Sequence, residues 1–176
     1  MPQVVLFEPQ IPPNTGNVAR TCAACGCALH LIEPLGFRID DRHLRRAGLD
    51  YWPLVDLHPH RSWAGFQELR GTRPGRLLAF SSHGRLPYHQ FRFEPDDWLL
   101  FGRETDGLPA QQLRGADAVL TIPMARRVIE GGQPGVRSLN LSVAVGIALF
   151  EVLRQLGLLD RFDPPPAEGS AESPSR

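Results

Sequence analysis

The stretch Leu141-Ser142-Val143-Ala144-Val145-Gly146-Ile147-Ala148-Leu149-Phe150 is apolar on nearly every side of a helix, where a surface helix would present one dry stripe and one wet face. A helix of this kind must be covered all round. One sheet covers one face, so in a short chain the opposite face calls for a second layer or a partner subunit. Only Glu151, Arg154 and Gln155 return a wet side. Asn140 or Ser138 can serve as N-cap, and the backbone N–H groups of the first turn favour an electron-rich ligand. The same element is therefore expected to carry part of a site and part of a homodimer interface.

The chain has 176 residues with 42% hydrophobic content, the size and dryness of one domain with an ordinary core. Nineteen basic residues balance nineteen acidic ones, so no global field draws the protein onto nucleic acid or anionic lipid, and any RNA contact must use a local patch. The apolar run of the last helix is interrupted by Ser142 and Gly146 and falls short of the roughly 20 residues that span a bilayer. The N-terminus, Met1-Pro2-Gln3-Val4-Val5, has no basic segment followed by an apolar core. A cytoplasmic protein without membrane contact is the expectation. Cys22, Cys25 and Cys27 are clustered and odd in number, with no second pair to complete a zinc site. They are expected to be small buried side chains, with no metal.

Residues 4–7 read as a buried strand. Residues 8–16 hold Pro9, Pro12 and Pro13 and are expected to be irregular, with a helix starting near Asn17 and ending at Gly26. Residues 28–32 are the next strand. Residues 40–48, with Asp40 and Asp41 at one end and Arg45, Arg46 and Gly48 at the other, have the charge order of a helix. Residues 54–57 are a short strand candidate and residues 61–69 a helix. Residues 77–80, 98–101 and 118–122 are compact apolar runs bounded by turn residues, the pattern of strands buried on both faces. Strands alternating with helices give an α/β fold with a mainly parallel sheet. Residues 1–158 form the single domain, and residues 159–176, rich in proline, serine and acid, form a disordered tail.

Open parallel sheets bind ligands at the carboxyl ends of their strands. Three irregular segments follow strands here: residues 8–20 with Asn14 and Arg20, residues 102–108 with Arg103, Glu104, Thr105 and Asp106, and residues 123–138 with Arg137 and Ser138. They are expected to converge on one pocket. There is no Gly-x-Gly-x-x-Gly after a strand, no phosphate loop ending in Gly-Lys-Ser/Thr and no Gly-x-Ser-x-Gly elbow, which lowers the weight of dinucleotide, nucleotide and hydrolase readings. Ser82-His83 is expected to be a turn rather than a nucleophile with its base.

Taken in order, Asn14-Thr15-Gly16-Asn17-Val18-Ala19-Arg20, Phe101-Gly102-Arg103-Glu104-Thr105-Asp106-Gly107-Leu108-Pro109, and Ile122-Pro123-Met124 with Arg137-Ser138-Leu139-Asn140-Leu141-Ser142 resemble the three motifs of the SPOUT-class RNA methyltransferases. Glu8-Pro9-Gln10-Ile11-Pro12-Pro13 and Leu44-Arg45-Arg46-Ala47-Gly48-Leu49-Asp50-Tyr51 are similar to the short members that methylate the ribose 2′-hydroxyl of the tRNA wobble nucleotide, cytidine or modified uridine. The resemblance implies a SPOUT fold with a C-terminal trefoil knot and S-adenosylmethionine as methyl donor, released as S-adenosylhomocysteine. It implies that the cofactor is held near Phe80, Gly102, Glu104, Gly107, Ile122, Met124 and Ser138. It also implies catalytic roles for Arg20, Asn14, Ser138 and Asn140.

For RNA contacts, Arg20, Arg42, His43, Arg45, Arg46, Arg126 and Arg127 are the candidates, with the anticodon stem-loop as the expected region of the tRNA. A guanidinium keeps its proton, which makes Arg20 a poor proton acceptor. A phosphate clamp that also stabilises the developing alkoxide is the better role. Two departures stand out. Residues 125–136 are longer than the family connection, and Arg103 and Asp106 stand where the family pattern places proline and arginine, which bears on substrate preference. Methylation at another tRNA or rRNA site, an inactive RNA-binding module, and a nucleotide-binding regulator are the competing readings.

Overall fold

A computed structural model of the chain describes residues 1–39, 51–125 and 135–162. Seven strands form one sheet in the order β3-β2-β1-β6-β4-β7-β5: β1 (Gln3–Phe7), β2 (Leu29–Ile32), β3 (Leu57–His60), β4 (Leu77–Phe80), β5 (Leu86–Pro87), β6 (Trp98–Phe101) and β7 (Ala118–Thr121). Every pairing is parallel. Helices α1 (Pro12–Cys25), α2 (Trp63–Gly71), α3 (Ala110–Arg114) and α4 (Leu141–Gln155) flank it. On one face Val4, Leu6, Leu29, Leu31, Leu78, Leu99 and Leu120 pack with α1 and α4. On the other, Val5, Phe7, Leu77, Trp98 and Leu100 meet Phe66 of α2 and Leu108 and Leu113. Burial on both faces is why β4 and β6 read as uninterrupted apolar runs; β2 is equally buried but carries His30 among its apolar residues.

Several boundaries differ from expectation for local reasons. α1 begins at Pro12, five residues before Asn17, because its two prolines occupy the first helical positions, where the missing N–H would have had no partner anyway. It ends as expected, with Gly26 in the left-handed region. The strand expected at 54–57 starts at Leu57, and Trp52–Leu54 is a 3-10 turn. α2 starts two residues later than expected, after Ser62, whose hydroxyl accepts from the Gly65 N–H at 3.2 Å. The 3-10 turn Leu159–Arg161, with Leu158 and Leu159 packed on the core, carries the described body past residue 158 to Phe162. The helix expected at 40–48 and residues 163–176 lie outside the described residues.

Within α4, Leu141, Val145, Ala148, Leu149, Val152 and Leu153 face the core, while Val143 is 50% and Phe150 47% exposed. Cys22, Cys25 and Cys27 are buried free thiols packed beside α1. Burial pushes all three up, Cys27 to about 12, the environment of an inert side chain. Ser82 and His83 form a turn in which Ser81 accepts from the N–H groups of His83 and Gly84.

Candidate active site

The pairing of β1 with β6 sets the loops after these two strands side by side, and the packing of α1 on α4 brings the starts of both helices to them. The first two expected segments, and the Asn140 cap that follows the third, then meet through named atoms. The Glu104 carboxylate accepts from the backbone N–H groups of Gln10 at 2.8 Å and Ile11 at 3.2 Å, and from the Asn14 side-chain amide at 3.2 Å. Asn14 Oδ1 accepts from Asn140 Nδ2 at 2.9 Å. Asn140 Oδ1 in turn accepts from the N–H of Ser142 at 2.9 Å, capping α4. A hydrogen-bonded chain Glu104–Asn14–Asn140 thus joins loop two to loop one and loop one to the cap that follows loop three. It also explains how α1 starts without a capping side chain of its own: Glu104, across the sheet edge, puts a negative charge on its N-terminus.

The loop after β6 is shaped by its glycines. A Cβ on Gly102 would lie 2.2 Å from the Gly107 carbonyl carbon and 2.3 Å from the Leu108 nitrogen. Gly107 sits at φ 76°, and residues 103 and 107 pair as an antiparallel bridge. Arg103 grips Asp106 with two hydrogen bonds of 2.7 and 2.6 Å and reaches Glu8 at 2.7 Å; this grip holds the Asp106 carboxyl below its usual range. Thr105 donates to the Gln10 side chain at 2.8 Å. Loops one and two are therefore zipped together along the wall of a cavity of about 350 Å3 that Pro34, Leu35 and Gly36 complete.

The expected cofactor residues fall on neighbouring strand ends. Phe80 and Phe101 are register partners with stacked rings 4.8 Å apart, Phe80 also pairs with Leu120, and half-buried Ile122 and Met124 follow β7. Thr121 Oγ1 is buried with no hydrogen-bond partner. Such an orphan at the carboxyl end of β7, on the same rim as the tight turn that Gly102 lets close, leaves a hydroxyl without a partner in the protein for a bound group to engage. Ser138 is exposed and stands outside the hydrogen-bonded chain. Arg20 lies six residues beyond Asn14 on α1, exposed, its guanidinium carbon 4.6 Å from the centroid of the Tyr51 ring. Arg42, His43, Arg45, Arg46, Arg126 and Arg127 lie outside the described residues.

Sequence reasoning named Arg103 and Asp106 without joining them to Glu8, quoted Tyr51 only as the end of a stretch, and did not name Thr121. The i, i+3 spacing of Arg103 and Asp106 inside a glycine-bounded loop was the available signal for their cluster.

The fold and its carboxyl-end loops are those of RNA ribose methyltransferases. A solved structure concerned with 2′-OH methylation of C/U34 on tRNA superposes with a TM-score of 0.80 at 50% identity, covering 89% of this chain and 97% of that one. The chain belongs to the SpoU rRNA methylase family, whose model matches residues 1–150. A putative tRNA (cytidine(34)-2′-O)-methyltransferase of a Synechocystis species is 50% identical over 156 residues, 89% of this chain and 97% of its own length. A tRNA (cytidine(34)-2′-O)-methyltransferase of a Polaromonas species is 47% identical over 165 residues, 94% and 97% of the two lengths.

Proposed function

We propose that this protein methylates the ribose 2′-hydroxyl of nucleotide 34 of tRNA, cytidine or modified uridine, with S-adenosylmethionine as donor. The observation that carries the reading is the Glu104–Asn14–Asn140 chain, which ties the first two loops and the cap that follows the third into one site in a chain about half identical to enzymes of that name. When bound, the cofactor supplies an electrophilic methyl group. Gly102, Gly107, Ile122 and Met124, with the Phe80 strand end, the unpartnered Thr121 hydroxyl and Ser138, would hold it.

The remaining work belongs to the chain's own side chains. Methyl transfer to a hydroxyl needs alignment and removal of a proton. Asn14 and Asn140, locked to one another and to Glu104, fix the geometry of the loops around the acceptor. Arg20 serves as clamp on the RNA phosphate and stabiliser of the developing alkoxide, since a guanidinium does not give up its proton in this pH range. RNA contacts by residues 42–46 and 126–127 and the anticodon loop as binding region belong to the same reading, as does a cytoplasmic location, where tRNA is found.

The protein acts as a homodimer, with the exposed Val143 and Phe150 face of α4 covered by a second copy. The C-terminal segment closes the trefoil knot of the family. Phe150→Glu then gives a monomer by sedimentation, with the core face of α4 intact.

Incubation with tRNA and S-adenosylmethionine, followed by nuclease digestion and mass spectrometry, tests the activity. A single methyl on the ribose of nucleotide 34 is expected. Methylation elsewhere would refute the site, and cofactor binding without transfer would refute the activity.

A further inference from the structure

Four described arginines are held by carboxylates: Arg70 by Asp117, Arg76 by Asp97, Arg103 by Glu8 and Asp106, and Arg154 by Glu151. Arg20 is held differently. No carboxylate pairs with it among the described residues, and its guanidinium rests against the Tyr51 ring, 4.6 Å from the centroid, well inside the roughly 6 Å over which a ring face attracts a cation.

The difference matters for a residue that must engage an anion. A carboxylate would occupy the in-plane N–H donors and cancel the charge that a phosphate or alkoxide needs. A ring face restrains the guanidinium through its π-surface and leaves all five donors and the full charge available. It limits where the group can point without competing for what it does.

Tyr51 is suited to this by its attachment. Its carbonyl accepts from the Leu54 N–H at 2.8 Å, starting the 3-10 turn Trp52–Leu54. Trp52 packs against the core, and the turn touches α1, the helix that carries Arg20. Tyr51 is 41% exposed as a residue and is not part of the buried core. A large aromatic side chain that is well exposed, carried on a firm stem and set against a cation with no carboxylate among the described residues is placed to act on that cation.

We propose that Tyr51 is a positioning residue for methyl transfer, whose ring face holds the Arg20 guanidinium aligned, charged and open to the RNA. This rests on the reading of Arg20 given above. Closure of the site around RNA excludes water and strengthens a cation–π contact, so the effect falls on turnover more than on the affinity of the free enzyme for either substrate.

The test is a side-chain series at position 51, with kcat and KM for tRNA, cofactor affinity by calorimetry, and melting temperature measured for each variant. Tyr51→Phe and Tyr51→Trp keep the ring face and are expected to retain most of kcat. Tyr51→Leu keeps bulk without a π-face and is expected to lower kcat roughly 3- to 30-fold, with cofactor affinity and melting temperature matching those of Tyr51→Phe. Equal activity of the Leu and Phe variants overturns the proposal. So does loss in the Phe variant equal to that in Leu, which would assign the effect to the hydroxyl. Arg20→Ala separates this from the underlying reading. Loss of activity in Arg20→Ala with a harmless Tyr51→Leu overturns only the positioning role, whereas a fully active Arg20→Ala overturns both.

Discussion

His30 offers the largest perturbation that can be worked from the geometry. Its ring is fully buried on β2, stacked on His58 at 4.7 Å and His60 at 5.2 Å from β3, with Phe66 and Trp98 beside it. Gln3 Nε2 donates to the Met1 carbonyl at 3.2 Å, so Gln3 Oε1 faces His30 Nε2 at 3.0 Å and receives its proton. His30 Nδ1 is left as the acceptor for His60 Nε2–H at 2.9 Å. A second proton on His30 would set N–H against N–H in a dry site. Burial first, then the neighbouring His58, His60 and Arg73, lower its pKa from 6.5 to about 3; His60 is lowered in the same direction. Asp56 engages His58 at 2.8 Å from the far side, and does not reach His30.

Because the folded pKa lies below the unfolded one, the unfolded chain binds the proton first as pH falls, and stability drops between pH 6.5 and 3. At about 1.4 kcal/mol per pH unit, His30 alone removes about 2 kcal/mol between pH 8 and pH 5. Urea unfolding of the wild type and of His30→Gln at those two pH values checks this. The variant is less stable at pH 8 through its lost stack, yet its fall to pH 5 is smaller by about 2 kcal/mol. Carboxylates titrate equally in both proteins and cancel in the difference. Equal falls in the two proteins would refute the neutral, buried assignment.

Glu104→Ala strands the N–H groups of Gln10 and Ile11 and the Asn14 amide; a loss of about 3 kcal/mol and collapse of methyl transfer are expected, read by denaturant midpoint and tritium incorporation. Gly102→Ala drives a Cβ into backbone atoms that cannot rotate away; about 3 kcal/mol of destabilisation and loss of cofactor binding by calorimetry are expected, and wild-type binding would contradict the tight hairpin. Asn140→Asp preserves a good helix cap but cannot donate to Asn14 Oδ1, so melting changes by about 1 kcal/mol or less while turnover falls at least about tenfold, about 1.4 kcal/mol in the barrier.

What was legible in the sequence follows burial symmetry. β4 and β6 are buried on both faces and wrote themselves as apolar tetrads, and β2 did so but for His30. β3 is an edge strand carrying His58, Pro59 and His60, and proline is tolerated there because an edge leaves N–H groups unpaired; its composition hides it. β5, two residues with a proline, has no pattern to read. The start of α1 was misread because proline is a breaker inside a helix and a starter at its first turn, and composition alone does not distinguish these positions. Site residues were legible where their type implied a partner anywhere, as with Asn14, Glu104 and Asn140. They were not where the partner is set by register: His30 meets His58 and His60 only because β2 and β3 pair at those positions, and Arg20 meets Tyr51 only because α1 and the turn after residue 51 pack together.

The same packing accounts for the absence of a nucleotide fingerprint. Asn14 belongs to the first turn of α1, and Asn140 caps α4; their hydrogen bond at 2.9 Å means that two helix N-termini meet at one point. Each brings partial positive charge and unpaired N–H groups. Glu104 accepts from the N–H groups of Gln10 and Ile11 that lead into α1, whose first two residues are prolines with no N–H, and the Asn140 side chain satisfies the N–H of Ser142 in α4. The positive end of α4 has no carboxylate of its own among the described contacts, and the hairpin that Gly102 closes lies on the same rim as the ends of β4 and β7. Charge complementarity for an electron-rich ligand thus arises from where two helices begin, 126 residues apart in the chain, so no local motif is needed to encode it.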